Sequence, residues 1–287
     1  SVKPVGLTTA RHATWPPSEH MDLGLDNATA VVSGGSKGMG RAAAEAFATE
    51  GARVAVLARG KEALAETVDR LGELGSPDAL AIATDLRDGA SIESAFDQVG
   101  QRWGHINSLV NAAGPASAGP FDALDDATWL ETFEMGTMSA VKTIRAALPW
   151  MKKADWARVV NLAAYSVRRQ SPGLVAYTAS KAALTSVSKN LARSLAADGI
   201  SVNTVSPGMF MSAGLTGYLE SVAEEKGIDP KDPRDAHRVM VEEYGGAVDM
   251  GRAGYPDEIG PVIVFLASKA NSYMTGANVN VDGGTDF

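Results

Sequence analysis

The sequence predicts an α/β fold built on a doubly wound parallel sheet, and three observations carry that prediction. Short, apolar, β-rich runs recur seven times along the 287 residues. Amphipathic stretches of about 10–25 residues separate most of them, which is how strands buried on both faces alternate with crossover helices. No linker-like stretch, repeat or low-complexity segment interrupts the series, so a single domain is expected.

The strands are placed at 28–33, 53–57, 80–84, 108–112, 158–163, 200–205 and 278–281, each a run of mainly Val, Ile, Leu and Ala. Helices are placed between them at 38–50, 61–74, 91–103, 126–151 and 175–197, with another at 256–266 before the last strand. Residues 1–20 show neither period and are read as an irregular arm. With Ser1 at its head the arm is expected to be partly non-native, and Met21 stands as an alternative start. Residues 21–287 then form the single domain.

Composition narrows the function. The 26 Lys+Arg against 34 Asp+Glu leave a net charge of −8, which argues against a surface made to neutralise nucleic-acid phosphates. Without cysteine there are no disulfides, thiolate metal sites or cysteine nucleophiles. The histidines at 12, 20, 105 and 237 share no ligand spacing, so no metal is expected. No apolar run approaches the roughly 18 residues of a membrane span. The expectation is a soluble, cytoplasmic protein with a small-molecule substrate.

The first strand runs into Ser33-Gly34-Gly35-Ser36-Lys37-Gly38-Met39-Gly40, and a helix follows at once. Glycines let a phosphate approach the backbone, and the amides of a helix N-terminus face its charge. A dinucleotide site needs this loop after strand one, which makes the fold Rossmann-type: seven parallel strands with helices on both faces. A ribose 2′-hydroxyl is usually held by an acid at the end of strand two. Here that strand ends Val56-Leu57-Ala58-Arg59, with no acid, and Arg59 together with Lys37 suits a 2′-phosphate. The cofactor read from these residues is NADP(H).

Together these motifs resemble the short-chain dehydrogenase/reductase family, in its 3-oxoacyl reductase-like branch, over residues 25–287. The glycine loop is similar to TGxxxGxG with Ser33 for Thr. Asn111-Ala112-Ala113-Gly114 resembles NNAG with one Asn lost, and Tyr177-Thr178-Ala179-Ser180-Lys181 is a YxxxK. Asn203 to Gly208 and Val281-Asp282-Gly283-Gly284 resemble later landmarks. The resemblance implies adenine contacts at Asp85-Leu86, further cofactor contacts at Asn111, Ala112, Gly114, Pro207 and Gly208, and Ser212 on the nicotinamide carboxamide. It also implies Lys181 on the nicotinamide ribose and a dimer or tetramer.

Tyr177 and Lys181 are four apart and share a helix face. A free phenol near pKa ~10 is a poor acid-base at neutral pH, but a neighbouring ammonium favours the phenolate. Tyr177 is therefore expected to have a lowered pKa and to give its proton to a carbonyl oxygen as hydride arrives. Two side chains that the resemblance implies are missing. The serine 13 residues before the tyrosine is Ala164, and an asparagine after Trp129 that holds a proton-relaying water is Gly136. Ser166, two residues beyond Ala164 on an extended chain, is the candidate replacement donor, and a water at Gly136 the candidate for the asparagine.

Residues 209–250 are expected to form a substrate lid over the carboxyl edge of the sheet. Met209, Phe210, Met211, Leu215 and Tyr218 suit a bulky apolar substrate; the alternative is that they pack lid helices against one another. Residues 215–250 hold nine Asp/Glu against four Lys/Arg, a net −5, so the lid should repel anionic carriers. The expected activity is NADP(H)-dependent interconversion of a carbonyl and an alcohol. Reduction or isomerisation of a C=N or conjugated C=C bond, and NADP binding with little turnover, are the alternatives.

Overall fold

The structure, a computed structural model, describes residues 21–115, 117–245 and 247–285. The arm expected over residues 1–20 lies outside them. Seven strands form one parallel sheet: β1 (Thr29–Ser33), β2 (Arg53–Ala58), β3 (Ala79–Ala83), β4 (Ser108–Asn111), β5 (Ala157–Leu162), β6 (Ile200–Pro207) and β7 (Asn278–Val281), in the order β3-β2-β1-β4-β5-β6-β7. The winding reverses between β1 and β4, and ligands of such sheets bind in the crevice at that reversal.

Strand residues divide between two cores by alternation. Ala30, Val32, Val54, Val56, Val110 and Val160 pack under α1 (Gly38–Thr49), α2 (Lys61–Glu73) and α9 (Pro256–Leu266). Val31, Ala55, Leu57, Leu109 and Val159 face α3 (Gly89–Trp103) and α5 (Ser139–Met151), with Ala192 of α6 (Val175–Ser194). Side chains two apart share a face and both faces are covered, so the strands read as unbroken apolar runs.

The strand ends break that apolar pattern. Ser33, Asn111 and Asn161 stand in register across β1, β4 and β5. The Ser33 hydroxyl donates to Asn111 Oδ1 (3.0 Å), Asn111 Nδ2 donates to Asn161 Oδ1 (2.8 Å) and Asn161 Nδ2 donates to Ser188 Oγ on α6 (2.9 Å). Thr143 on α5 donates a second bond to Asn111 Oδ1 (2.7 Å). All five are buried. The bonds offset the desolvation of these polar groups and tie the loop after β1 to α5 and α6.

The continuous helix expected over 126–151 is broken. It forms α4 (Asp126–Phe133) and α5, joined by a wide turn over Glu134–Met138 in which the Ser139 N–H reaches back five residues to Glu134 O. Such turns recur at functional sites and are not visible in helix propensity. Gly136 sits inside it against α6: a Cβ there would lie 2.3 Å from Ser180 Oγ and 2.8 Å from Ser180 Cβ. Thr137 seals the same contact with a bond to Ser180 O (2.7 Å).

The segment expected as a lid contains α7 (Ala213–Lys226) and α8 (Pro233–Tyr244). Among the described residues no helix is long and apolar enough to cross a membrane. The Gly136–Ser180 fit makes a prediction. Gly136→Ala should lower unfolding free energy in urea by about 1–3 kcal/mol through overpacking, and the loss should largely vanish in a Ser180→Gly background. Equal losses in both backgrounds would contradict the fit.

Candidate active site

At the reversal between β1 and β4 the carboxyl ends of four strands open a cleft of about 1110 Å³. Gly34, Ser36, Lys37, Arg59, Asp85, Leu86 and Gly114 line it, so the structure brings these sequence-predicted residues together. Gly34 has φ +73° and a Cβ there would lie 2.6 Å from the Ala113 backbone nitrogen, so only glycine lets the two loops meet. Gly40 is equally constrained, 2.3 Å from Gly34 O. Gly38, at φ +53° with nothing within 4 Å of a built Cβ, faces open space at the start of α1.

Lys37, Arg59 and Lys61 are exposed in the cleft and form no ion pair among the described residues. Arg87 is engaged: it donates to both Asp85 carboxylate oxygens (3.1 and 2.8 Å) and holds that carboxyl down at about 2. In all, Lys37, Arg59, Lys61 and Arg87 stand against Glu62, Asp85 and Glu131 in the lining, a small positive excess, and the three cations outside the Arg87–Asp85 pair are suited to phosphate.

Other predicted cofactor residues have their side chains engaged within the protein. The side chains of Ser33 and Asn111 are turned into the buried chain across the sheet. Leu86 is buried in the core and Met39 and Ala112 pack against the opposite one. Pro207 ends β6 opposite Val281, while a Cβ on Gly208 would strike Asp282 Cα at 2.6 Å. The Ser212 hydroxyl caps α7 by accepting from Leu215 N (3.2 Å).

Tyr177 and Lys181 lie in the first two turns of α6 on one face, with the ammonium 6.0 Å from the phenol ring centroid. Lys181 is buried, donates to Leu162 O at the end of β5 (2.8 Å) and sits under Gly114, where a Cβ would approach Nζ to 3.1 Å. Burial draws its pKa down from 10.5 to about 8. Burial, with the Tyr165 phenol adding to it, pushes Tyr177 up to about 12. The expected lowering of the tyrosine is thus reversed: loss of solvent dominates, and Tyr177 holds its proton as an acid must.

Three further expectations are corrected. Ser166 is turned into the interior of the protein. The chain leaves extension at Ala164 for a single tight turn over Tyr165–Val167, and the fully buried Ser166 hydroxyl accepts from Thr178 Oγ1 (2.9 Å). The space beside Gly136 holds the Ser180 side chain, whose hydroxyl donates to Tyr177 O (2.7 Å), and not a water. The apolar lid residues pack among themselves: Met209, Met211, Leu215 and Tyr218 surround Leu219, Ala236 and Val239, and Phe210 joins the main core. Tyr218 also donates to Glu243, which pairs with Lys226 (2.9 Å), so α7 and α8 are bound to each other. These residues form the segment's own small core, and they give no ground for a bulky apolar substrate.

The sequence reading missed Ser180, quoted only as part of a motif, and Arg169, whose guanidinium donates to the carbonyls of Gly245 (3.1 Å), Ala247 (3.4 Å) and Thr285 (3.2 Å). No local signal marks either one. Among the described residues no three His, Asp or Glu gather to hold a metal ion.

Lys181 makes the site pH-dependent. Below pH 8 it is protonated in folded and unfolded chains alike, and burying the charge costs folding free energy. Between about 8 and 10.5 only the unfolded chain keeps the proton, so the cost is lifted as pH rises. Relative to Lys181→Met, the wild type should therefore gain roughly 3 kcal/mol over that window in urea unfolding. A difference that does not change with pH would show that the ammonium is not buried.

Comparison with known proteins gives this cleft its relatives. A family model described as "Enoyl-(Acyl carrier protein) reductase" matches residues 34–286. D-threitol dehydrogenase of Mycolicibacterium smegmatis is 34% identical over 270 residues, covering 93% of this chain and 96% of that protein. The rhamnolipids biosynthesis 3-oxoacyl-[acyl-carrier-protein] reductase of Pseudomonas aeruginosa is 30% identical over 270 residues, covering 92% and 98%. The crystal structure of L-sorbose reductase from Gluconobacter frateurii, complexed with NADPH and L-sorbose, superposes with a TM-score of 0.85 at 29% identity, covering 92% and 98%. With the glycine loop, the reversal cleft and the Tyr177–Lys181 pair in place, the chain belongs to the short-chain dehydrogenase/reductase family of oxidoreductases.

Proposed function

We propose that this protein reduces the carbonyl of an uncharged small molecule with NADPH, or runs the reverse oxidation, with Tyr177 as the acid. The observation that carries the proposal is the state of that phenol. It keeps its proton, makes no hydrogen bond among the described residues and stands beside the buried Lys181 at the carboxyl edge of the sheet. A bound NADPH would supply the hydride. Lys37, Arg59 and Lys61 would hold its 2′-phosphate, and the amides at the start of α1 would face its pyrophosphate. The NADPH in the L-sorbose reductase structure supports the same choice.

In the reaction Tyr177 gives its proton to the oxygen that gains charge. Lys181, with its pKa near 8, tunes the phenolate left behind and can itself exchange a proton near neutral pH. The acidic α7–α8 segment disfavours acyl carriers and coenzyme A, leaving free ketones or ketoses as substrates. A cytoplasmic dimer or tetramer belongs to this reading and rests on the family resemblance. A second reading, reduction of a C=N or conjugated C=C bond or cofactor binding with little turnover, draws support from the methyl at Ala164, which can donate nothing.

The test is NADPH consumption with L-sorbose, acetophenone, a cyclic imine and an enone. Ketone or ketose turnover should appear and should fall roughly 10²–10⁴-fold in Tyr177→Phe. Arg59→Ala should raise the KM for NADPH by about tenfold or more while leaving that for NADH nearly unchanged. Turnover confined to the imine or enone supports the second reading, and NADPH binding with no turnover at all supports its binding-protein form.

A further inference from the structure

The loss of the serine at position 164 leaves the reacting oxygen one donor short, and the hydroxyls around it decide whether another takes its place. Four side-chain hydroxyls flank Ala164 and Tyr177 in the chain: Tyr165, Ser166, Thr178 and Ser180. Three are engaged inside the protein. Thr178 donates to Ser166 (2.9 Å) and Ser180 donates to Tyr177 O (2.7 Å). The fourth, on Tyr165, makes no hydrogen bond among the described residues, and the side chain is half-buried.

The Ser166–Thr178 bond also fixes where Tyr165 lies. It pins the turn Tyr165–Val167 to the first turn of α6, with Tyr165 directly before one partner and Tyr177 directly before the other. The two phenols are near enough that a charge on Tyr165 raises the pKa of Tyr177. Burial raises Tyr165 as well, which keeps its proton in place, and the neighbouring Arg169 only partly offsets this. A phenol extends several bonds further than a serine hydroxyl, so it can serve from the adjacent position.

We infer that Tyr165 is a catalytic residue: its phenol donates a hydrogen bond to the substrate oxygen in place of the absent serine, while Tyr177 transfers the proton. Tyr165 gives up no proton; it stabilises the charge that develops on the oxygen as the C=O bond is reduced, which is the task of an oxyanion donor. This rests on the carbonyl-reductase reading above and specifies its second donor.

The experiment uses the full chain, NADPH, and L-sorbose or acetophenone, whichever the wild type turns over. Tyr165→Phe should lower kcat by about 10²-fold, the usual effect of losing one such donor. The Kd for NADPH, read by nicotinamide fluorescence, should stay within about twofold, because the variant changes the transition state and not cofactor binding. Adding Ala164→Ser to Tyr165→Phe should restore about tenfold or more, since it returns a donor to the vacated position. A Tyr165→Phe rate within about threefold of wild type, with Tyr177→Phe inactive, overturns the Tyr165 assignment and leaves the reductase reading standing. No turnover of either substrate by the wild type overturns both. If Tyr165→Phe fails to fold, Ala164→Ser alone decides: a gain under about threefold fits a site already supplied with a donor, and a gain of about 10²-fold contradicts it.

Discussion

The hydrogen-bonded rung through Ser33, Asn111 and Asn161 is the interaction on which the rest of the molecule depends. It crosses three strands at the level where the sheet's winding reverses, and it ends on Ser188 of the helix that carries Tyr177 and Lys181. Each such bond nets only about 0.5–1.5 kcal/mol, but each partner left alone in this dry layer would cost about 1–3 kcal/mol. The rung therefore fixes one register among β1, β4 and β5 and one seating of α6. Cofactor loop and acid are held in a common frame even though neither touches the other.

Burial then sets the chemistry. Lys181 loses water under Gly114 and at the end of β5, and its pKa falls; Tyr177 loses water beside it and its pKa rises. The two shifts run in opposite directions, so an uncharged phenol stands next to an amine that can exchange its proton near pH 8. The same packing explains the two departures from the family pattern. Ser180 fills the position beside Gly136, and the tight turn after Ala164 turns Ser166 inward and sets Tyr165 next to the vacated position.

Much of this was legible in the chain. The strand runs marked the sheet because strands buried on both faces leave an unbroken apolar signature, and the loop from Ser33 to Gly40 marked the cleft because phosphate needs glycine and a helix start in one place. What was not legible has a physical cause in each case. Ser166 looked available because residues two apart on a strand face the same way, and the strand ends at Leu162. The break at Glu134–Met138 leaves only a weak signal in Gly136, because a lone glycine lowers helix propensity by about 1 kcal/mol without marking a widened turn. Met209, Met211, Leu215 and Tyr218 carry the same composition whether they line a ligand or a lid's own core, and only packing tells these apart. Arg169 acts on three carbonyls far away in sequence, and no local pattern records that.

The most direct test of this account is a double-mutant cycle on the central bond of the rung, measured as unfolding free energy in urea for Asn111→Ala, Asn161→Ala and the pair. If the rung is one connected network, each single substitution leaves a buried partner unsatisfied, and the pair should cost less than the sum by about 1–3 kcal/mol. Strict additivity of the two losses would show that the two asparagines act independently, and that the frame joining the cofactor loop to the catalytic helix lies elsewhere.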